Sequence, residues 1–455
     1  MKKVLIITYY WIPSGGAGVQ RWVKFTKYLR NFGWEPVVYT PENPEYPSTD
    51  NSFIKDIPND IEIIKTPIWE PYNIYRNLTG KKNQPINAGF ISENKKQGWK
   101  EKLSIWIRGN FFIPDPRRFW IKPSVKFLTE YLQKNTVDAI ITTGPPHSMH
   151  LIGMGLKKNF PNLKWIADFR DPWTNIDFYK ELNLTSRADK IHHKLEKQVL
   201  QSADAVVVVS NGMQQEFEIL ETKKLTVISN GYDESDTTTG EVLLDNKFTL
   251  SHIGTLNYAR NPKTLWKVLG QLCSENPDFK NDLLIKLIGK TDFSVFETIN
   301  NCGLIKNTEK IDYLSHSDAI SAQKKSQILL LLINNSENAK GILTGKFFEY
   351  LAASRPILAI GPTDGDVASV LAETAAGKVV DFYDEKETKN QDLGFSAIKI
   401  GSLPKTQKLP RSHTRGLKQF EFLNGSFSFL ILACQIQWSE KSSVVLSNSD
   451  GIWNF

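Results

Sequence analysis

The stretch "QILLLLINNSENAKGILTGKFFEYLAASRPILAIG", residues 327–361, decides the fold. An unbroken apolar run opens it, a helical pattern follows, and a second apolar run, "PILAIG", closes it. Short runs apolar at every position mark strands buried on both faces, and such strands joined through a helix build parallel sheets. One residue is out of keeping. Glu349 stands among Phe347, Phe348, Tyr350 and Leu351, one turn past Thr344 and Gly345. On a helix starting near Thr344, it points to much the same side as Gly345 and Lys346, and the small Ala352 and Ala353 leave room beside it.

The exposed N–H groups and dipole of such a helix start favour an anion. Thr344 can cap the helix or donate its hydroxyl, and Gly345 lets an anion approach the backbone. Lys346 adds a point charge for phosphate oxygens. A carboxylate accepts two hydrogen bonds side by side, which suits the vicinal diol of a ribose. Phosphate at the helix end and ribose one turn along together describe a nucleoside diphosphate. The competing reading is a solvated Glu349 paired with Lys346, an ordinary arrangement on a helix surface.

Working outward, the same strand–helix rhythm runs through most of the chain. Strands are expected at Val4–Thr8, 36–40, 137–143, 163–169, 203–210 and 224–229, with helical patterns between them. The rhythm pauses in the polar stretch "NGYDESDTTTGEVLLDNK" and restarts at 248–254, 283–289, 327–334, 356–361 and 378–382. The fold class is therefore α/β, with two Rossmann-like doubly wound domains facing a cleft. The divisions are 1–234, a linker at 235–247, 248–385, and a tail at 386–455 with no clear periodicity. Ligands of such sheets bind outside the carboxyl ends of the strands.

With 455 residues the chain has length for two or three domains. A net charge of +7 favours phosphates or an anionic membrane surface but is too weak to argue nucleic acid. The three cysteines, Cys273, Cys302 and Cys434, have no metal-ligand spacing and suit a reducing cytosol. The start, "MKKVLIITYY", has lysines before an apolar run but no small-x-small cleavage site. "FSFLILACQIQW" is shorter than the ~20 residues that span a bilayer. A soluble or peripheral protein of the cytoplasm is expected, its peripheral attachment falling at the inner face of the plasma membrane.

These motifs resemble the family-4 glycosyltransferases, retaining enzymes of the two-Rossmann GT-B fold, from the N-terminus to about residue 385. The resemblance implies that Glu349 is the second Glu of the family's Glu-x7-Glu donor signature, the one that binds ribose. The first falls on Gly341, a departure at the position that contacts the donor sugar. "SHIGTLNYARNP" (251–262) matches the loop holding diphosphate-binding bases, which points to Arg260 first and Lys263 second, with Thr255 where the family's Arg follows the Gly. "KLIGK" (286–290) and "YLSHSDAI" (313–320) resemble base-pocket segments, where His316 is read as structural or exposed. "PSGGAGVQR" (13–21) matches the glycine-rich loop near donor and acceptor, with Gly15 and Gly16 at its centre. A dinucleotide fingerprint is a poor fit there, because Gly16-x-Gly18-x-x ends in Arg21 and lies well beyond the strand.

Four residues at expected strand ends are the catalytic candidates: His147 in "TTGPPHSMH", and Asp168, Arg170 and Asp171 in "ADFRDPWT". An Asp–Arg–Asp cluster can orient a hydroxyl, and its alternative is a structural ion pair. His147 is equally readable as a histidine satisfied within its loop. The Asp-x-Asp at 364–366 is read as a helix cap, so no metal site and no cofactor are expected. A UDP- or GDP-linked sugar enters as substrate, and the acceptor is a glycan or a lipid-linked saccharide of cell-surface polysaccharide assembly. Residues 95–123 interleave Lys and Arg with Trp, Phe and Ile, a mixture suited to an anionic membrane surface or to an ordinary lid. Two other functions compete with a metal-independent, hexosyltransferase-type enzyme: a nucleotide-sugar epimerase of similar fold, and a non-catalytic nucleotide-sugar-binding protein.

Overall fold

The computed structural model describes residues 1–46, 49–71, 99–236, 242–312 and 314–390. Two fully parallel sheets organise them. The first contains β1 (Lys2–Ile7), β2 (Trp34–Pro41), β3 (Glu62–Thr66), β4 (Ala139–Gly144), β5 (Lys164–Phe169), β6 (Ala205–Val208) and β7 (Leu225–Val227). Its strand order is β3-β2-β1-β4-β5-β6-β7. The second contains β8 (Phe248–Ile253), β9 (Leu283–Ile288), β10 (Thr308–Ile311), β11 (Ile328–Leu332), β12 (Ile357–Ile360) and β13 (Gly377–Val380), in the order β10-β9-β8-β11-β12-β13. Both orders reverse direction at the first strand, so β1/β4 and β8/β11 are the two points where the chain switches sides.

The apolar runs are explained by burial on both faces. In β1, Leu5 and Ile7 enter one core while Val4 and Ile6 enter the opposite one. In β11, Leu329 and Leu331 face one layer, and Ile328, Leu330 and Leu332 face the other. Two edge strands, β3 and β10, were not signalled by the sequence. "EIIKT" and "TEKI" sit at the sheet rims with one neighbour each, are half-buried or exposed, and so keep polar residues that break the run. The stretch read as a tail starts with order: the helix Glu385–Asn390 lies on the helix Lys263–Glu275, with Lys267 paired to Glu385 at 2.6 Å and Lys389 to Glu275 at 2.8 Å. The tail from 391 onward lies outside the described residues.

An ion network anchors the passage between the sheets. Lys24, on the helix Ala17–Leu29, is fully buried and bonds Asp56, Asp233 and Asp236 at 2.8, 2.8 and 2.7 Å. Lys27 adds bonds to Asp56 and Asp233, and Tyr28 donates to Asp233 at 2.6 Å. Asp236, inside the stretch read as linker, is thereby fastened to the first sheet's covering layer. Burial works against these carboxylates, but hydrogen bonds outweigh it, from Lys24, Lys27 and Tyr28 at Asp233 and from His316 and then Lys24 at Asp236, and hold both below the usual carboxylate range. The three acids lie close enough together to suggest a cation site, and the Lys24 ammonium supplies that cation. Lys24→Met would leave three enclosed carboxylates short of their main counter-charge. It is expected to cost about 3–5 kcal/mol of unfolding free energy by urea titration; a loss under about 1 kcal/mol would contradict the central place of Lys24 in the network.

Candidate functional site

The carboxyl ends of both sheets face one cleft of about 680 Å³. Its walls include Arg170, Asp171 and His147 from the first sheet's side, and Arg260, Gly341 and Thr344 from the second's.

The second-sheet wall is built on a bare stretch of backbone. Gly254, directly after β8, has φ +122°, and the end of the Lys346 side chain rests where a Cβ would project: that atom would lie 2.3 Å from Nζ and 2.7 Å from Cε. Only glycine fits, for its backbone angle and for the space. Lys346 leaves the second position of the helix Gly345–Ala352, and no carboxylate pairs with it among the described residues. Burial, then the nearby Arg260 charge, push its pKa down to about 7, with Glu349 acting in the opposite sense. Arg260 lies in the loop after Gly254, half-buried, and donates Nε–H to Asn334 Oδ1 at 2.5 Å. Burial lowers its pKa too, opposed by Asp177 across the cleft. The Thr344 hydroxyl is buried at the helix start with no hydrogen-bond partner, and it makes no cap. Glu349 is half-buried, accepts from Gln323 Nε2 at 3.3 Å, and borders a small recess shared with His316, Asp236 and Ala352. Lys346 feels the charges of both Arg260, which lines the large cleft, and Glu349, which lines the recess.

On the first-sheet wall, the four catalytic candidates separate. Asp168 is fully buried and accepts from Arg21, Trp22 and Thr143 at 3.0, 2.9 and 2.8 Å. Side chains alternate along β5, so Asp168 turns back into the sheet's covering helix, away from the cleft. It is the structural ion pair, and the proposed Asp–Arg–Asp cluster does not form. Arg170, Asp171 and His147 do line the cleft. The Arg170 guanidinium lies over the Tyr10 ring and against Gly18, where a Cβ would lie 2.2 Å from Nη1, and it donates to the Pro145 carbonyl. Its Nε is buried without a partner. Asp171 is exposed to the cleft; the crowded wall raises its pKa, against the pull of Arg170. His147 stacks on Trp173 with ring centroids 4.8 Å apart. Burial, then the neighbouring His150 and Arg170, push its pKa well down, against a hydrogen bond to the Pro172 carbonyl. It is a neutral imidazole whose buried Nδ1 has no partner.

The remaining expectations divide likewise. Gly18, rather than Gly15 or Gly16, brings the glycine loop against the wall; Gly16 is exposed and starts the helix Ala17–Leu29 at φ +99°. Lys263 turns away from the cleft, exposed over the Tyr258 ring at 5.3 Å. His316 is structural, tucked beside Asp236 at 3.9 Å with Phe53 against its ring. The Asp-x-Asp caps no helix: Asp364 pairs with Lys340 at 2.5 Å, and Asp366 accepts from the Gly212 N–H at 2.9 Å, tying the two sheets' segments together. Gly341, where the signature's first Glu is missing, meets Gly212 backbone to backbone, and Ser210 donates to the Gly341 carbonyl at 2.7 Å. A Cβ on Gly212 would lie 2.6 Å from Gly341 Cα, whereas one on Gly341 would lie 3.3 Å from Gly212 Cα, close enough that the facing backbone must shift by a few tenths of an ångström. Residues the sequence did not flag are Gly254's seat for Lys346, Asn334, Asp177 and the wall formed by Trp173 and His192. Only Gly254 had a readable signal, a glycine directly after a strand.

Two parallel sheets whose switch points face one cleft form the two-Rossmann GT-B architecture. Residues 91–236 match the model of the family described as Glycosyltransferase Family 4, so the likeness read from the sequence is borne out over that segment. No curated protein matches the chain. Solved structures of similar fold include a sucrose-phosphate synthase from Thermosynechococcus elongatus (13% identity, TM-score 0.61, covering 96% of this chain and 99% of that one). A trehalose-phosphate synthase (UDP-forming) from Burkholderia vietnamiensis matches at 11% identity and TM-score 0.59, over 96% and 100% of the two chains. WaaG, a glycosyltransferase involved in lipopolysaccharide biosynthesis, matches at 12% and 0.54, over 94% and 99%. Among the described residues no helix is long and apolar enough to cross a membrane.

Lys346 is expected to titrate near pH 7, well below an ordinary lysine. Competitive labelling with acetic anhydride across pH 5–11, read by mass spectrometry, measures this directly. Arg260→Met removes the like charge and is expected to raise the midpoint. Titration of Lys346 at the ordinary lysine value in the unaltered protein would contradict its enclosure beside Arg260.

Proposed function

We propose that the protein is a retaining, metal-independent glycosyltransferase of the hexosyl-transferring kind. On this reading it moves a sugar from a UDP- or GDP-linked donor to a glycan or lipid-linked acceptor in surface polysaccharide assembly. The observation behind it is the group Arg260, Lys346 and Glu349, with no ion pair to either cation among the described residues and an orphaned Thr344 hydroxyl at a helix start. Cations enclosed without counter-charge are costly, and an anion removes the cost. A donor diphosphate fits that deficit, with its ribose diol on Glu349.

In the transfer the sugar–phosphate bond breaks as the acceptor hydroxyl attacks on the same face. The departing diphosphate accepts the hydroxyl proton and leaves with the electron pair of the broken bond. The developing charge meets Lys346, Arg260 and the helix N-terminus, all fixed before the reaction begins. These supply the positive charge, so the reading needs no metal. Opposite them, Arg170, Asp171 and the neutral His147 are suited to holding acceptor or sugar hydroxyls. A second copy of the signature carboxylate is not available at Gly341, so sugar hydroxyls are assigned to that opposite wall.

Glu349→Ala is expected to weaken UDP or GDP binding about tenfold or more by calorimetry, the cost of hydrogen bonds to a charged group. An unchanged dissociation constant would overturn the donor assignment. Incubating the protein with a UDP- or GDP-sugar and no acceptor separates the epimerase, which would return an isomerised sugar nucleotide. Donor affinity without turnover on any acceptor would identify the non-catalytic binder.

The membrane side of the proposal rests on the helices Trp99–Phe111 and Arg118–Lys134. Leu103, Trp106, Phe111 and Phe119 are exposed there, with Trp69 packed edge-on against Phe119 at 4.7 Å. Lys102, Arg118 and Lys122 flank them, and Arg108 and Phe112 of the same region line the cleft. Aromatic rings with interleaved cations suit an anionic headgroup layer, and the cleft mouth would then open toward it. Flotation with phosphatidylcholine vesicles doped with phosphatidylglycerol should recover the protein, and replacing Leu103, Trp106 and Phe111 by Ser should abolish recovery. Equal flotation of the variant would refute the contact.

A further inference from the structure

Arg260 raises a question that the donor reading leaves open. A long guanidinium in a half-enclosed cleft needs something to hold it in one orientation, and no carboxylate pairs with it among the described residues. What it has is Asn334, just past the end of β11 and 9% exposed. The Asn334 carboxamide accepts the Arg260 Nε–H through Oδ1 at 2.5 Å and donates through Nδ2 to the Asp177 carboxylate. Asp177 belongs to the opposite wall, in the segment that continues from Arg170, Asp171 and Trp173. One side chain therefore bridges the two halves of the cleft. The assignment of its oxygen and nitrogen is fixed by the partners, since one can only donate and the other, ionised, can only accept.

We propose that Asn334 is a positioning residue: it aims the Arg260 fork at the distal phosphate of the bound donor and sets the 171–177 segment in register with it. This rests on the donor reading above. A neutral amide suits the task where an acid would not. It fixes Nε while leaving the Arg260 charge and its two terminal nitrogens available, whereas a carboxylate would neutralise the guanidinium and repel Asp177. The distal phosphate is implicated by placement: Arg260 lines the large cleft, whereas Glu349 borders the separate recess beside His316 and Asp236, so the guanidinium stands apart from the ribose carboxylate.

The test uses the full chain and four probes, UMP, UDP, GMP and GDP, by calorimetry. For Asn334→Ala the diphosphate that binds is expected to weaken about tenfold, while the matching monophosphate changes less than twofold. Asn334→Asp, which keeps the size and changes the charge, is expected to weaken the diphosphate at least as much. In an Arg260→Ala background, Asn334→Ala should add no further loss of diphosphate affinity, because the residue acts through Arg260. A merely structural asparagine would weaken mono- and diphosphate alike and would stay additive with Arg260→Ala, and either result overturns the proposal. Unaltered diphosphate affinity in both Asn334 variants also overturns it while leaving the donor site standing. If the unaltered protein binds neither UDP nor GDP, the donor reading itself fails and this inference falls with it.

Discussion

Two cations held close together without carboxylate partners, Lys346 and Arg260, are the constraint around which the rest of the cleft is arranged. Their mutual repulsion in a partly dry site is a cost the protein bears in the unliganded state. Three features make it bearable. Gly254 offers bare backbone on which the lysine can lie, Asn334 steadies the arginine without cancelling it, and Glu349 stands near enough to moderate the lysine without pairing to it. Two cations in one partly dry site favour a multiply charged anion over a single carboxylate, which is the basis of the diphosphate proposal. A single salt bridge in its place would have been satisfied and inert.

The cleft's width is set by contacts between backbones and by buried ions. Gly212 and Gly341 touch backbone to backbone, Asp366 and Ser210 close hydrogen bonds on either side of them, and the Lys24 network pins the chain's passage between the sheets. At Gly341, where the signature carboxylate is missing, a side chain would press on the facing Gly212 backbone at 3.3 Å. His147 and Arg170, both lining the cleft, each keep a buried nitrogen without a hydrogen-bond partner among the described residues.

The apolar runs and their alternation with helices were sufficient for both sheets, because strands buried on two faces leave a signature that owes nothing to distant residues. The edge strands β3 and β10 escaped because exposed Glu and Lys residues interrupt their apolar pattern. Thr344, Lys346 and Glu349 could be grouped from the sequence, since a helix start with a lysine and an acid one turn on is local information, whereas Arg260 came only from the family resemblance. Asp168 was not legible. Whether an acid at a strand end faces a cleft or an arginine from another helix depends on a partner 147 residues away in the chain, Arg21.

What the sequence by itself determined, then, is the architecture, the place where ligands gather, and the residue types at one helix tip. What only the tertiary structure decided is which groups are spent on the fold and which are left open. Asp168, Asp366 and Lys24 are spent on the fold, while Lys346 and the Thr344 hydroxyl have no such partner among the described residues. The physical reason is that hydrogen-bond and charge satisfaction is settled between segments far apart in the chain, whereas burial pattern is written residue by residue along it.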